Sequence, residues 1–117
     1  MPYAIYPQGF YDAIMDLNKL KIPLYITENG IADAADDRRD LYIRSYLAAL
    51  NKAIADGADV RGYYYWSIMD NFEWDMGYGM KFGLYAVNRE TQERALRSGA
   101  QFYKEVLSAY SNNKIVV

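Results

Sequence analysis

Apolar residues recur at helical spacing in three stretches of the chain, which predicts three amphipathic helices. The first begins at Pro7, whose ring fits the first turn of a helix. The second lies between a candidate N-cap, Asp37, and Gly57, a residue type that often follows a helix. The third opens with Ser98 and Gln101, spaced as a capping box. The apolar stripes are, in chain order, Phe10, Ile14 and Leu17; Ile43, Leu47, Leu50 and Ile54; and Phe102, Val106 and Ala109.

Two short β-prone runs separate these helices. "LYIT", residues 24–27, is followed by Glu28 and an Asn-Gly turn. "YYYWS", residues 63–67, is followed by an aromatic, Gly-containing loop over residues 68–83. The three tyrosines of the second run are expected to pack on alternate faces of the strand. The alternation of helices and strands predicts an α/β unit with two parallel strands and helices over one outer face.

Two parallel strands do not make a closed sheet. Both have open edges and both are apolar on two sides, so a further protein surface is expected to flank them. The chain therefore resembles a portion of a larger fold over residues 1–110, followed by a tail, "SNNKIVV", over residues 111–117.

Composition narrows the function classes. The 117 residues carry a formal net charge of −2 with acids and bases interspersed, which favours neither nucleic-acid nor membrane partners. The chain has no Cys and no His, so thiol or imidazole metal sites are excluded, no cofactor is expected, and acid–base chemistry falls to carboxylates. No leader or bilayer-spanning run is apparent, and a cytoplasmic protein is expected.

Glu28 and Trp66 both stand at carboxyl ends of the predicted parallel strands. In α/β barrels this edge carries the active site, because the loops there vary while the scaffold stays fixed. By position alone, Glu28 is equally well explained as a solvated turn carboxylate.

The sequence motifs around Glu28 and Trp66 resemble those of a known protein family. "YITENG" and "WSIMDNFEWDMGYGMKFGLYAVN" resemble the two C-terminal signatures of glycoside hydrolase family 1, the β-glucosidase family, and colinear similarity extends from "AIYPQGFYDAI" to "SGAQFYKEV". The resemblance implies that the chain is the C-terminal portion of a (β/α)8 TIM barrel, comprising its last two βα units and the preceding helix.

The same resemblance implies roles for five side chains. Glu28 would be the nucleophile that attacks the anomeric carbon, and Glu73 would accept hydrogen bonds from distal sugar hydroxyls. Trp66 would form the platform under the sugar, Trp74 would donate to a ring hydroxyl, and Phe82 would border the exocyclic carbon. The alternative for each tryptophan is a core packing residue.

A retaining glycosidase also needs a second carboxyl, about 5–5.5 Å from the nucleophile, to protonate the leaving oxygen. In the family this acid belongs to an "NEP" motif on an earlier strand, and "NEP" does not occur in the 117 residues. The resemblance further implies a cis peptide bond between Trp66 and Ser67. Asp70 and Asn71 are expected to fix the loop through hydrogen bonds.

The chain departs from the family pattern at a few places. Lys81 stands where Arg is usual before "FGL", Asn88-Arg89 follows "YAV" in place of Asp-Tyr or similar, and Asn51 lies near a position where His is common. These changes are expected to alter supporting contacts and leave the reaction intact.

Two classes of function therefore remain open. The first is a β-glycosidase acting on a β-glycoside sugar, with this chain as its C-terminal part and the missing N-terminal barrel portion as its partner. The second is a non-catalytic sugar-binding module that assembles with copies of itself or with another scaffold. A 6-phospho-β-glycosidase is a narrower rival, but Glu73 would repel a phosphate and Phe82 replaces the expected Tyr.

Overall fold

The computed structural model describes residues 4–111. Three α-helices alternate with two strands as predicted, and two further strands form a hairpin before the last helix. Residues 112–117 of the predicted tail lie outside the described residues, and Ser111 is the last residue of a helix. The elements are α1 (Pro7–Asn18), β1 (Leu24–Asn29), α2 (Arg39–Ala55), β2 (Val60–Tyr65), β3 (Tyr85–Val87), β4 (Arg94–Leu96) and α3 (Gln101–Ser111), with 3-10 turns at Trp74–Met76 and Ser98–Ala100.

Strands β1 and β2 pair in parallel, which confirms the predicted pairing. Their ladder runs from the Leu24 N–H, which donates to the Asp59 carbonyl, to the Trp66 N–H, which donates to the Asn29 carbonyl. The ladder also corrects the predicted limits: β1 continues through Glu28 to Asn29, and β2 covers residues 60–65. Backbone pairing sets these limits, whereas the sequence indicates only where apolar residues cluster.

Strands β3 and β4 form an antiparallel hairpin that the sequence did not predict. Each has three residues, too few for a period of two to stand out. The Asn88 side-chain oxygen accepts hydrogen bonds from the backbone N–H groups of Glu90 and Thr91, which shapes the connecting turn.

Both predicted helix caps are wrong in detail. The Asp33 carboxylate, and not Asp37, accepts hydrogen bonds at 2.9 Å from the backbone N–H groups of Arg38 and Arg39 at the start of α2. Ser98 does not cap α3; its hydroxyl donates to the Asp36 carboxylate at 3.0 Å. The cap at α2 is thus a carboxylate five to six residues upstream, whereas the contact before α3 comes from a carboxylate 62–63 residues away.

The core lies between one face of the β1–β2 sheet and the helices. Three of its residues, Ile14, Ile31 and Ile43, are 0–2% exposed. The helical stripes are confirmed except at two ends, because Leu17 and Ile54 are 51% and 44% exposed. These two side chains lie near the C-terminal ends of α1 and α2.

The tyrosines of β2 occupy alternate faces, as predicted. Tyr65 is buried and contacts the ring of Tyr103 in α3, whereas Tyr64 is 59% exposed on the opposite face of the sheet. Tyr25 of β1 is similarly exposed, at 57%. The helices thus cover one face of the sheet and leave aromatic side chains open on the other. No helix within residues 4–111 is long and apolar enough to cross a bilayer.

Shortening a fully buried side chain tests the placement of the core. Ile43→Ala removes buried methyl groups and leaves a cavity, so the free energy of unfolding is expected to fall by about 2–5 kcal/mol. Leu41→Ala is the matched control, because Leu41 lies on the same helix and is 59% exposed. Urea denaturation followed by circular dichroism gives both values, and equal losses would contradict the assigned core.

Candidate active site

An open pocket of about 250 Å3 lies at the carboxyl ends of β1 and β2. Four of the five residues predicted to act in the site line it, together with two that the sequence analysis treated only as a turn. The lining residues are Glu28, Asn29, Gly30, Trp66, Glu73 and Phe82. The parallel strands thus bring together two carboxylates and two aromatic side chains from segments that are distant in the sequence.

The ends of the two strands meet closely at the floor of this pocket. The Tyr63 hydroxyl donates to the Asn29 side-chain oxygen at 2.9 Å, and the Trp66 N–H donates to the Asn29 carbonyl at 3.0 Å. A Cβ on Gly30 would overlap the Trp66 carbonyl oxygen, so only glycine fits there. The Trp66–Ser67 peptide bond is cis, as the resemblance implied.

Hydrogen bonds from its own loop hold Glu73 in place. The Asn71 side-chain amide donates to the Glu73 carboxylate at 3.1 Å. The Ser67 hydroxyl shares its one proton between the Met69 carbonyl at 2.8 Å and the Asn71 side-chain oxygen at 3.2 Å. This chain of contacts connects Glu73 to the residue that follows Trp66. It also confirms the loop-fixing role predicted for Asn71.

Trp74 is the predicted site residue that the structure does not bring to the pocket. It begins the 3-10 turn Trp74–Met76 and is 81% exposed. Its neighbour Glu73 lines the pocket, so the two side chains leave the loop at different angles.

A buried arginine supports the loop that follows Glu28. Arg39 is 0% exposed, and its guanidinium donates to the carbonyls of Asp33 at 3.1 Å and Lys81 at 2.7 Å and to the Asp36 carboxylate. Asp36 in turn accepts from the backbone N–H of Gly99 at 2.8 Å. One side chain therefore joins the segments that follow β1, precede Phe82 and open α3.

A second arginine supports the loop that carries Glu73. The Arg97 guanidinium binds both oxygens of the Asp70 carboxylate at 2.9 Å, and Asp70 also accepts from the Gly83 N–H at 3.1 Å. Burial alone would raise the pKa of Asp70, but these donors outweigh it and hold the pKa below its ordinary value. Asp70 thus has the loop-fixing role that the sequence predicted.

Sequence reasoning missed the two arginines and Asp33 and Asp36. Their letters are typical of solvated charges, and only their burial in the tertiary structure reveals the supporting role. Asn29 and Gly30 had a local signal, the Asn-Gly turn, but nothing in it indicates a place in the pocket. Within residues 4–111, no three acidic side chains come together in a way that could hold a metal ion.

The chemistry available in the pocket is that of carboxylates beside aromatic faces. Glu28 is exposed and can reach an electrophilic carbon, while Glu73 can accept hydrogen bonds from hydroxyl groups. The indole of Trp66 offers a flat apolar surface with a polar edge. A ligand that combines hydroxyl groups with an apolar C–H face fits this set.

Comparisons with known proteins agree with one another. The sequence profile described as "Glycosyl hydrolase family 1" matches residues 1–112. The chain is 44% identical over 107 residues to a beta-galactosidase of Pyrococcus woesei, covering 91% of this chain and 21% of that protein. It is also 44% identical over 118 residues to a 6-phospho-beta-galactosidase of Staphylococcus epidermidis, covering 89% of this chain and 25% of that protein.

A solved structure gives the same result in three dimensions. The beta-glycosidase from Pyrococcus horikoshii superposes with a TM-score of 0.86 at 48% identity, covering 91% of this chain and 25% of that one. The chain therefore spans 21–25% of the length of these three proteins.

The Asp36 contacts predict a pH dependence of stability. Burial alone would raise the pKa of Asp36, but the Gly99 N–H, Arg39 and Ser98 outweigh it and lower the pKa from 3.8. A carboxyl whose pKa is lower in the folded state stabilises the fold above its unfolded pKa, and this stabilisation is lost as the pH falls through the folded pKa.

The free energy of unfolding lost in Asp36→Asn is therefore expected to be largest at pH 7 and to shrink below about pH 4. Urea titrations of the wild type and the variant at several pH values measure this difference. Asp75→Asn removes an exposed carboxylate and controls for net charge. A difference that stays constant down to pH 2 would contradict the role of ionised Asp36.

Proposed function

Because the chain belongs to glycosyl hydrolase family 1, we propose that it forms the nucleophile-bearing part of a retaining β-glycosidase. The observation that carries the proposal is the shared pocket of Glu28, Glu73, Trp66 and Phe82 at the carboxyl ends of two parallel strands. Relatives named beta-galactosidase and beta-glycosidase support the reaction class.

In the proposed reaction, the Glu28 carboxylate attacks the anomeric carbon as the glycosidic bond breaks. A glycosyl ester of Glu28 forms, and water then hydrolyses it with net retention of configuration. The leaving oxygen takes its proton from a second carboxyl about 5–5.5 Å away, which later removes a proton from the water. Glu28 is exposed at the pocket, where a sugar can approach its carboxylate.

We propose that another part of the barrel supplies the second carboxyl. The "NEP" motif expected for it is absent from the 117 residues, and Glu73 has a different task. The Asn71 amide already holds one Glu73 oxygen, which leaves the other free to accept from sugar hydroxyls. This orientation suits a residue that binds the sugar ring.

The remaining site residues bind the sugar. Trp66 lies under the ring as an apolar platform, and Phe82, which is 7% exposed, borders the exocyclic carbon. Trp74 is proposed as a donor to a ring hydroxyl on the family resemblance alone. Its exposed indole leaves the N–H accessible to a ligand.

We further propose that the chain corresponds to the last two βα units of the barrel and the helix before them. The uncovered sheet face carries Tyr25 and Tyr64, and burying these side chains against the rest of a barrel provides the driving force for assembly. A chain that finds no such partner is expected to associate with copies of itself through the same strand edges and face.

The 6-phospho-beta-galactosidase relative makes a phosphorylated substrate the second candidate. A phosphate on the exocyclic oxygen would lie beside Phe82, which offers it no hydrogen bond, and near the Glu73 anion, which repels it. The unphosphorylated β-glycoside is therefore the proposed substrate. Comparing rates on an aryl β-glucoside and its 6-phosphate distinguishes the two.

Covalent labelling tests the nucleophile. The remainder of the Pyrococcus horikoshii beta-glycosidase, co-expressed as a separate chain, is expected to restore retaining aryl β-glucosidase activity, whereas either chain alone stays inactive. A fluoro-sugar with an activated leaving group is then expected to label Glu28, because such a leaving group needs little help from the acid. Peptide mass spectrometry locates the label.

Two variants sharpen this test. Glu28→Gln is expected to abolish both turnover and labelling, whereas Glu90→Gln, an exposed change in the β3–β4 turn, is expected to leave both intact. Attachment of the sugar to any other residue in an active complex would overturn the assignment. Turnover by the pure single chain would show that a second copy supplies the acid.

Removing the Glu73 carboxylate tests sugar recognition. Glu73→Ala deprives the distal hydroxyls of a charged acceptor that binds most strongly in the transition state, so kcat/KM is expected to fall by about 30- to 1,000-fold, or about 2–4 kcal/mol. Glu73→Gln retains one acceptor and is expected to lose less. Steady-state kinetics of the two-chain complex provide both values, and unchanged kcat/KM in Glu73→Ala would exclude the role.

A further inference from the structure

The short segment Lys81 to Gly83 is held at three successive carbonyl groups by three different parts of the structure. The Lys81 carbonyl accepts from the Asp33 N–H at 3.0 Å, and the Phe82 carbonyl accepts from the Ser67 N–H at 3.4 Å. The Gly83 carbonyl accepts from the Arg97 guanidinium at 2.8 Å. Phe82, the only one of the three whose side chain lines the pocket, is thus fixed on both sides.

Two arginines from outside the pocket hold the ends of this segment. Arg39, which begins α2, donates to the Lys81 carbonyl at 2.7 Å. Arg97, which follows β4, donates to the Gly83 carbonyl and is 11% exposed. Neither side chain lines the pocket, so any effect on a ligand has to pass through the residues that the two arginines hold, including the backbone of residues 81–83.

The Arg97 contact also reaches Glu73. Arg97 binds Asp70, whose carboxylate accepts from the Gly83 N–H, so Asp70 and Gly83 share one guanidinium. A Cβ on Gly83 would overlap the backbone of Asp70 and Tyr85, which shows how closely the two segments approach. Hydrogen bonds therefore join the loop that begins at Asp70 and carries Glu73 to the segment that carries Phe82.

We propose that Arg97 is a positioning residue that sets the place of Phe82 relative to Glu73, and thereby the fit of the group on the exocyclic carbon of the sugar. The effect on sugar recognition rests on the proposed function, whereas the positioning of Phe82 by Arg97 concerns residues of this chain alone. A planar guanidinium reaches two carboxylate oxygens and a carbonyl at once, which a single ammonium does not. Arg39 holds the opposite end of the segment through its hydrogen bond to the Lys81 carbonyl.

The first experiment examines the structural part without reference to activity. 4-Fluorophenylalanine is introduced at Phe82 of the full chain, and its 19F NMR resonance is recorded in the wild type, Arg97→Ala and Arg94→Ala. A single sharp resonance is expected in the wild type and in Arg94→Ala, because Arg94 is exposed and its guanidinium donates to the nearby Gln92 carbonyl. Broadened or multiple resonances are expected in Arg97→Ala.

Chemical rescue separates positioning from general loss of structure. Guanidinium ion at millimolar concentration fits the space left by Arg97→Ala and is expected to restore the sharp resonance, whereas tetramethylammonium, which donates no hydrogen bond, is not. Arg97→Lys keeps the charge beside Asp70 and serves as the second variant if Arg97→Ala does not fold, as judged by circular dichroism. A resonance of Phe82 that is unchanged in the folded variants would overturn the proposal.

The second experiment measures the consequence in the two-chain complex. The ratio of kcat/KM for an aryl β-glucoside to that for the β-xyloside, which lacks the exocyclic hydroxymethyl group, reports the contact near Phe82. Arg97→Ala is expected to lower this ratio by roughly tenfold, and kcat/KM for the glucoside by about 100-fold, with recovery by guanidinium. A general loss of structure would lower both substrates equally and leave the ratio unchanged.

The NMR and kinetic measurements test the proposed function and the role of Arg97 separately. If the wild-type complex neither turns over the glucoside nor takes the label at Glu28, the proposed function fails, while the NMR result still decides whether Arg97 positions Phe82. If the wild type is active and Arg97→Ala keeps the same substrate ratio, the specificity role of Arg97 is wrong.

Discussion

The parallel pairing of β1 and β2 sets the positions of the residues that line the pocket. The ladder ends with the hydrogen bond from the Trp66 N–H to the Asn29 carbonyl. It therefore places Glu28 beside Trp66, although the two residues are distant in the sequence. A slip of one residue would turn Glu28 away from the pocket, because side chains alternate between the faces of a strand. Gly30 allows the close approach that this register needs.

Beyond the strands, buried charges fix the loops together with buried apolar side chains such as Ile31 and Phe82. Arg39 and Arg97 each bind a carboxylate and at least one backbone carbonyl, and each joins segments that are distant in the sequence. Removing one partner of such a pair leaves an unpaired buried charge, which costs about 3–5 kcal/mol. These ion pairs and hydrogen bonds fix the positions of the loops that carry site residues, although those loops have no large apolar core of their own.

One face of the β1–β2 sheet is not covered by the helices. Helices cover one side, while Tyr25 and Tyr64 remain exposed on the other, and the chain spans only 21–25% of the length of three of its family relatives. In a TIM barrel both faces of the sheet are covered, one by the helices and one by the packed interior. We propose that the barrel is completed through this uncovered face.

The three helices, the two parallel strands and the place of Glu28 and Trp66 at the strand ends can be predicted from the sequence, because they depend on local periodicity and on neighbouring residues in the chain. Folding alone reveals the β3–β4 hairpin, the hydrogen bonds accepted by Asp33 and Asp36, and the burial of Arg39 and Arg97. A charged letter looks the same whether it is solvated or buried, and its role depends on which distant carbonyls and carboxylates folding brings within hydrogen-bond distance.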